Sequence, residues 1–175
     1  MNHSALTDTY IVLDLETTGL SPTKCEIIEI AMIKVVHGRP TETFQALVKP
    51  SSPIPPFITQ LTGITNQDVE TAEPISVVAD YALAFMEDLP ITGWNVGFDI
   101  KFLKRALPGH PFSWFDTLPL ARKHFPGLES YKLSAVAAHL DCRKGTHRAL
   151  DDCIAAMDIY EYIRNRKGDS HGNKL

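Results

Sequence analysis

Asp14 and Glu16 lie two residues apart in the run Tyr10-Ile-Val-Leu-Asp-Leu-Glu16, and on a strand that spacing sends both carboxylates to one face. Neighbouring carboxylates among apolar residues repel each other and lose hydration, a state that a divalent cation with oxygen ligands relieves. An exposed edge strand is the alternative, and the apolar residues on both faces of 10–13 argue against it. Asp99 opens a helix just after Gly93-Trp-Asn-Val-Gly97. There it is either a further cation ligand or an ordinary acidic residue at a helix N-terminus. His147 closes a loop containing Lys144, Gly145 and Thr146, five residues before Asp152, and offers a general base beside another carboxylate. Asp151 competes with Asp152 for that position. Seven and eleven residues beyond Asp152 stand Ile159 and Ile163, with Ala155 and Ala156 alongside, whereas Asp151 leads to Asp158 and Tyr162. Asp152 therefore heads an apolar helical stripe, where a carboxylate needs a partner.

These residues have to be positioned by a small set of elements. Tyr10 to Glu16 reads as a strand entering the core and ending at Thr17-Thr-Gly-Leu20. Ile27 to Val36 is a second strand, and His37-Gly-Arg-Pro40 turns it into a third over Thr43 to Val48. Pro50 to Pro56 is a loop, followed by short helical turns up to Gln67. From Ile75 the apolar period changes to three and four, giving a helix through Leu89. Ile91 to Trp94 is a short buried strand, followed by a helix with Phe98, Phe102, Leu103 and Leu107. Leu133 to Leu140 is another helix, and the last runs from about Ala149 to Arg164. A hairpin of strands followed by strand and helix alternation predicts one α/β domain around a mixed sheet. The domain is placed at 1–165, with a polar flexible tail at 166–175.

Ile11-Val-Leu-Asp-Leu-Glu-Thr-Thr-Gly-Leu20, Asn95-Val-Gly-Phe-Asp-Ile-Lys-Phe-Leu103 and His147-Arg-Ala-Leu-Asp-Asp152 resemble, in order, the three exonuclease motifs of the DEDD superfamily of 3′–5′ exonucleases. The similarity is to its histidine branch, which includes the proofreading epsilon-type exonucleases of bacterial DNA polymerase III. Leu61-Thr-Gly-Ile-Thr65 and Tyr131-Lys-Leu133 resemble the family's connecting segments. The tyrosine branch carries its tyrosine four residues before the final acid, where this chain has Arg148.

The resemblance implies a ribonuclease-H-like fold and two divalent ions, Mg²⁺ or Mn²⁺, held by Asp14, Glu16, Asp99 and Asp152, with His147 as general base. It also implies Thr17, Thr18 and Leu20 beside the terminal nucleotide, and Asn95 and Phe102 lining its pocket. The substrate would be a single-stranded or frayed 3′ end, DNA favoured over RNA, releasing nucleoside 5′-monophosphates. A DNA polymerase is a candidate partner, although the short C-terminal tail favours a free-standing enzyme. Lys101, Lys104, Arg105, Lys132, Arg143, Lys144 and Arg148 are candidates for guiding phosphates. Two other readings compete: a nucleic-acid- or polymerase-binding accessory module, disfavoured because all four acids and the histidine are in place, and a metal phosphatase, disfavoured by the lack of a Gly-rich phosphate cradle.

Composition narrows the class. The 175 residues are 44% apolar and 22% charged, the usage of a globular domain rather than a disordered or fibrous chain. Residues 1–100 carry 4 Lys and Arg against 13 Asp and Glu, and residues 101–175 carry 13 against 8. An acidic half suited to cations thus adjoins a basic half suited to polyanions. Cys25, Cys142 and Cys153 are too few and scattered for a disulfide framework. No apolar run approaches the roughly 20 residues of a membrane span. The first ten residues lack the apolar stretch of a signal peptide, so a cytoplasmic location is expected.

Overall fold

The computed structural model describes residues 6–169. Along the chain come β1 (Tyr10–Thr17), β2 (Ile27–Val36), β3 (Arg39–Leu47), α1 (Pro56–Thr62), α2 (Ile75–Met86), β4 (Ile91–Thr92), α3 (Gly97–Ala106), α4 (Thr117–His124), α5 (Leu133–His139) and α6 (Ala149–Asp169). The strands form one mixed sheet in the order β3-β2-β1-β4, with β1 antiparallel to β2 and parallel to β4. The β2–β3 hairpin turns at His37 and Gly38, both with positive φ, the conformation that matches strand twist in a tight hairpin.

Alternation along β1 assigns each residue to a layer. Ile11, Leu13 and Leu15 pack with Ile30 and Met32 of β2 against Val78, Ala82 and Met86 of α2 and Ile100 and Leu103 of α3. Tyr10 and Val12 face the other way, packing with Ala31, Ile33 and Val35 against Cys153, Ala156, Met157 and Tyr160 of α6. Each such large apolar side chain contributes about 1.5–3 kcal/mol when fully buried. Asp14 and Glu16 belong to the α6 face, opposite Ala31 and Glu29 in the β1–β2 register.

Helix α6 is buried on a second side as well. Ile159 and Ile163 pack against Ala121 and Phe125 and against Val136 and Ala137 of α5. Ile159 and Ile163 of the stripe headed by Asp152 therefore face the α4–α5 layer, while Cys153, Ala156 and Tyr160 face the sheet.

Three elements differ from the sequence expectation. β3 begins at Arg39 rather than Thr43, because its exposed first half pairs with β2 as far as Val36. β4 is only two residues long. Helix α4 was not foreseen, since Thr117-Leu-Pro-Leu-Ala has little apolar periodicity. The Asp116 carboxylate caps it, accepting from the Leu118 amide at 2.9 Å, and Pro119 sits in the first turn, where a missing N–H costs nothing. Residues 166–169 of the expected tail lie within α6; residues 170–175 lie outside the described residues. Among the described residues no helix is long and apolar enough to cross a membrane.

Candidate active site

The acidic residues meet where β1 ends beside the start of α6. One carboxylate oxygen each from Asp14, Glu16 and Asp152 lies within 4.8 Å of the other two, the one such group among the described residues. Asp14 and Glu16 arrive there by strand alternation, Asp152 by its place in the first turn of α6. Asp151 turns aside to accept from the Thr146 hydroxyl, while Asp152, the neighbour that helical spacing favours, stands in the trio.

Asp99 reaches the same end of the sheet from the opposite layer. It is 4% exposed, in the first turn of α3, and its carboxylate accepts the backbone amide of Leu15 and its own. Asp99 stands outside the close trio, but its charge acts on Asp14. The loop before α3 passes so near β1 that a Cβ on Gly93 would strike the Leu13 carbonyl, which only glycine avoids.

Crowding shows in the protonation of these groups. Burial pushes the Asp14 carboxyl well above the usual range, and the charges of Asp99, Asp152 and Glu16 push it further. Burial also raises Asp99, against the two amides it accepts. Glu16 is pushed up to about 8, by burial first and then by Asp152 and Glu29, while Arg148 draws it down. Asp152 is raised by burial, opposed by His147 and by hydrogen bonds from the His147 and Thr146 amides. Such a set is stable as free carboxylates only with positive charge among them. Oxygen donors of this number and closeness fit hard divalent cations.

A groove of about 780 Å³ opens from this cluster, lined among others by Asp14, Asp152, His147, Trp94, Asn95 and Lys132. His147 is exposed, with φ +61°. Gly145 folds under it so tightly that a Cβ there would collide with the Asp152 carboxylate. Asn95 is exposed, also with positive φ, and its amide donates to Asp116 at 3.0 Å. The Thr17 hydroxyl donates to the Gly19 carbonyl at 2.8 Å and the Thr18 hydroxyl accepts from the Glu26 amide at 2.9 Å. Both threonines thereby shape the turn that presents Leu20, which is 86% exposed.

Phe102 is a correction. It is 2% exposed and packed in the core between α3 and the sheet. It packs with Leu103 and the sheet core instead of lining the groove. The basic residues also sort differently from expectation. Arg105 donates to the Pro22 and Cys25 carbonyls, Arg143 forms a two-pronged pair with Asp158, and Arg148 forms one with Glu29. Lys132 does line the groove, joined by Arg122, which sequence reasoning passed over. Trp94 was read only as strand, and Glu29 was passed over too, although a single carboxylate inside Ile27-Ile-Glu-Ile-Ala31 was a visible signal.

An acid-lined groove at the end of a mixed sheet, with a histidine at its rim, is a ribonuclease-H-like nuclease architecture. The chain belongs to the RNase_T exonuclease family, whose model matches residues 11–160. It is 37% identical to the DNA polymerase III subunit epsilon of Aquifex aeolicus, over 91% of this chain and 82% of that one. It is also 37% identical to the 3′-5′ exonuclease DinG of Bacillus subtilis, over 89% of this chain but only 18% of that protein. The chain thus spans less than a fifth of DinG and most of the epsilon subunit. Exonuclease X, solved in complex with 5′ overhanging duplex DNA, superposes with a TM-score of 0.76 at 28% identity, covering 91% of this chain and 93% of that one. Escherichia coli exonuclease I, solved with a dT13 oligonucleotide, shares the fold at TM-score 0.79 and 19% identity, over 95% of this chain and 43% of that one.

Proposed function

We propose that this chain is a 3′–5′ exonuclease that removes nucleoside 5′-monophosphates from a free 3′ end, with single-stranded or frayed DNA as its substrate. The observation that carries this is the close trio of Asp14, Glu16 and Asp152 with His147 on the same groove wall. The relatives and the Exonuclease X likeness support the direction of attack and the choice of DNA.

Asp14, Glu16, Asp99 and Asp152 would hold two Mg²⁺ or Mn²⁺ ions. Bound there, the ions would supply charge stabilisation for the attacking and leaving oxygens of an in-line phosphodiester displacement. His147 takes the proton from the attacking water at a ring nitrogen. Arg122 and Lys132 hold the phosphates of the strand behind the terminal nucleotide. Leu20 packs against its base, with Thr17 and Thr18 fixing the turn and Asn95 at the groove wall. The epsilon-type relative supports a DNA polymerase as partner and a cytoplasmic setting in replication or repair.

Single-stranded DNA, duplex DNA and RNA, each labelled in turn at the 3′ and 5′ ends, test this reading with Mg²⁺, Mn²⁺ or EDTA. The expected result is immediate release of 3′ label as mononucleotide from DNA with either metal and none in EDTA. Early release of 5′ label, or hydrolysis undiminished by EDTA, would overturn it.

A further inference from the structure

Glu29 lies outside the acidic trio, yet its carboxylate accepts four hydrogen bonds. It is fully buried on β2, directly opposite Glu16 in the register. Oε1 accepts from Gln45 Nε2 at 2.9 Å and Arg148 Nη2 at 2.7 Å. Oε2 accepts from Arg148 Nε at 3.2 Å and from the Ala149 backbone amide at 3.1 Å.

Two of those partners, Arg148 and Ala149, stand at the start of α6, and the third, Gln45, is on β3. The first amides of a helix have no acceptor within it, and Arg148, the residue before α6, has a side chain that only donates. Glu29 therefore caps α6 from across the sheet and grips the Arg148 fork with the same two oxygens. Immediately before that grip is His147, in a left-handed conformation that a non-glycine residue holds only when its surroundings impose it. One turn after it is Asp152, whose carboxylate takes the Thr146 and His147 amides. The grip has an electrostatic side too. Arg148 lies close enough to Glu16 for its charge to be felt there, and pairing with Glu29 occupies the guanidinium that would otherwise compete with a cation for the trio.

We infer that Glu29 is a positioning residue: through Arg148 and the Ala149 amide it fixes the start of α6, so that His147 and Asp152 face Asp14 and Glu16, and it withholds the Arg148 cation from the metal ligands. The inference rests on the exonuclease reading above. It differs from a purely structural role in what it predicts once the protein is folded.

The test compares wild type with Glu29→Gln, with Arg148→Lys, and with the double apolar replacement Glu29→Met/Arg148→Met. Arg148 is half-exposed, so its lysine variant, which keeps the charge and loses the fork, leaves the core untouched. Buried ion pairs exchanged for apolar residues often keep their stability, so the double variant covers a failure of Glu29→Gln to fold. Three readouts apply at a temperature well below each melting point: kcat and KM on 3′-labelled single-stranded DNA, Mn²⁺ binding by calorimetry, and backbone hydrogen exchange over residues 145–152.

The expected result is a fall of about 10–100-fold in kcat or Mn²⁺ affinity, the usual cost of losing a residue that orients metal ligands. KM should change little, and exchange over 145–152 should be faster in all three variants, including a fully folded double variant. Folded variants with wild-type kcat, wild-type Mn²⁺ affinity and unchanged exchange would overturn the inference. An inactive wild type in the same assay would instead overturn the exonuclease reading.

Discussion

Asp14 shows a conflict between stability and function at the scale of one side chain. Its folded pKa is raised by burial and by neighbouring acids, so the folded metal-free state binds more protons than the unfolded chain. Stability of that state therefore falls as pH rises from the ordinary carboxylate range towards neutrality. Asp14→Asn should raise the neutral-pH melting temperature of EDTA-treated protein by a few degrees while abolishing hydrolysis; a lowered melting temperature would show that the cluster is not under charge strain. His147 carries the opposite expectation. His147→Ala should lower turnover by about 10²–10⁴-fold, the range for a positioned acid–base group, with metal binding by calorimetry nearly unchanged; near-normal turnover would remove it from the mechanism. Asp152→Asn should abolish hydrolysis and Asp151→Asn retain most of it, since only Asp152 joins the trio while Asp151 bonds to Thr146. The reverse order, with both variants folded by circular dichroism, would place the last ligand on Asp151.

At the scale of elements, the start of α6 has its own pH signature. Burial of Glu29 opposes its charge, but hydrogen bonds from Arg148, the Ala149 amide and Gln45 prevail and hold its pKa below the usual 4.5. Its stabilising contribution is complete above that value and disappears as pH falls through the lower folded value. The stability gap between wild type and Glu29→Gln, measured by denaturant melts, should be largest near neutrality and shrink steadily below pH ~4.5. A gap independent of pH would contradict the pairing. The same element shows what periodicity can and cannot convey. The apolar stripe from Asp152 through Ile159 and Ile163 was legible as buried, yet α6 is covered on two sides, and one-dimensional spacing does not say which side faces the sheet. β1 and its two carboxylates were legible because alternation on a strand fixes direction. Helix α4 was not, because its cap and its Pro119 replace the apolar pattern that marks other helices. Phe102 was misjudged because pocket and core both take an aromatic; the turn of α3 that points Asp99 at the sheet end buries Phe102 three residues later. Arg148 looked like a phosphate contact because its partner lies 119 residues away on β2.

For the whole molecule, the acidic first half and basic second half of the sequence meet in one groove: Asp14 comes from β1, and Arg122, Lys132 and His147 come from beyond residue 100. The fold brings acidic and basic side chains together in that groove from chain segments that remain separate in sequence. The proposed activity requires a chain end to enter the groove and a divalent ion to neutralise its acids, and both requirements can be tested on one pair of substrates. The decisive measurement is hydrolysis of a linear single-stranded DNA and of the same strand closed into a circle, followed in Mg²⁺ and in EDTA. The linear strand should shorten stepwise from its 3′ end in Mg²⁺ only, and the circle should stay intact in both. A circle cut as fast as the linear strand, or a linear strand shortened equally well in EDTA, would contradict a metal-dependent 3′–5′ exonuclease.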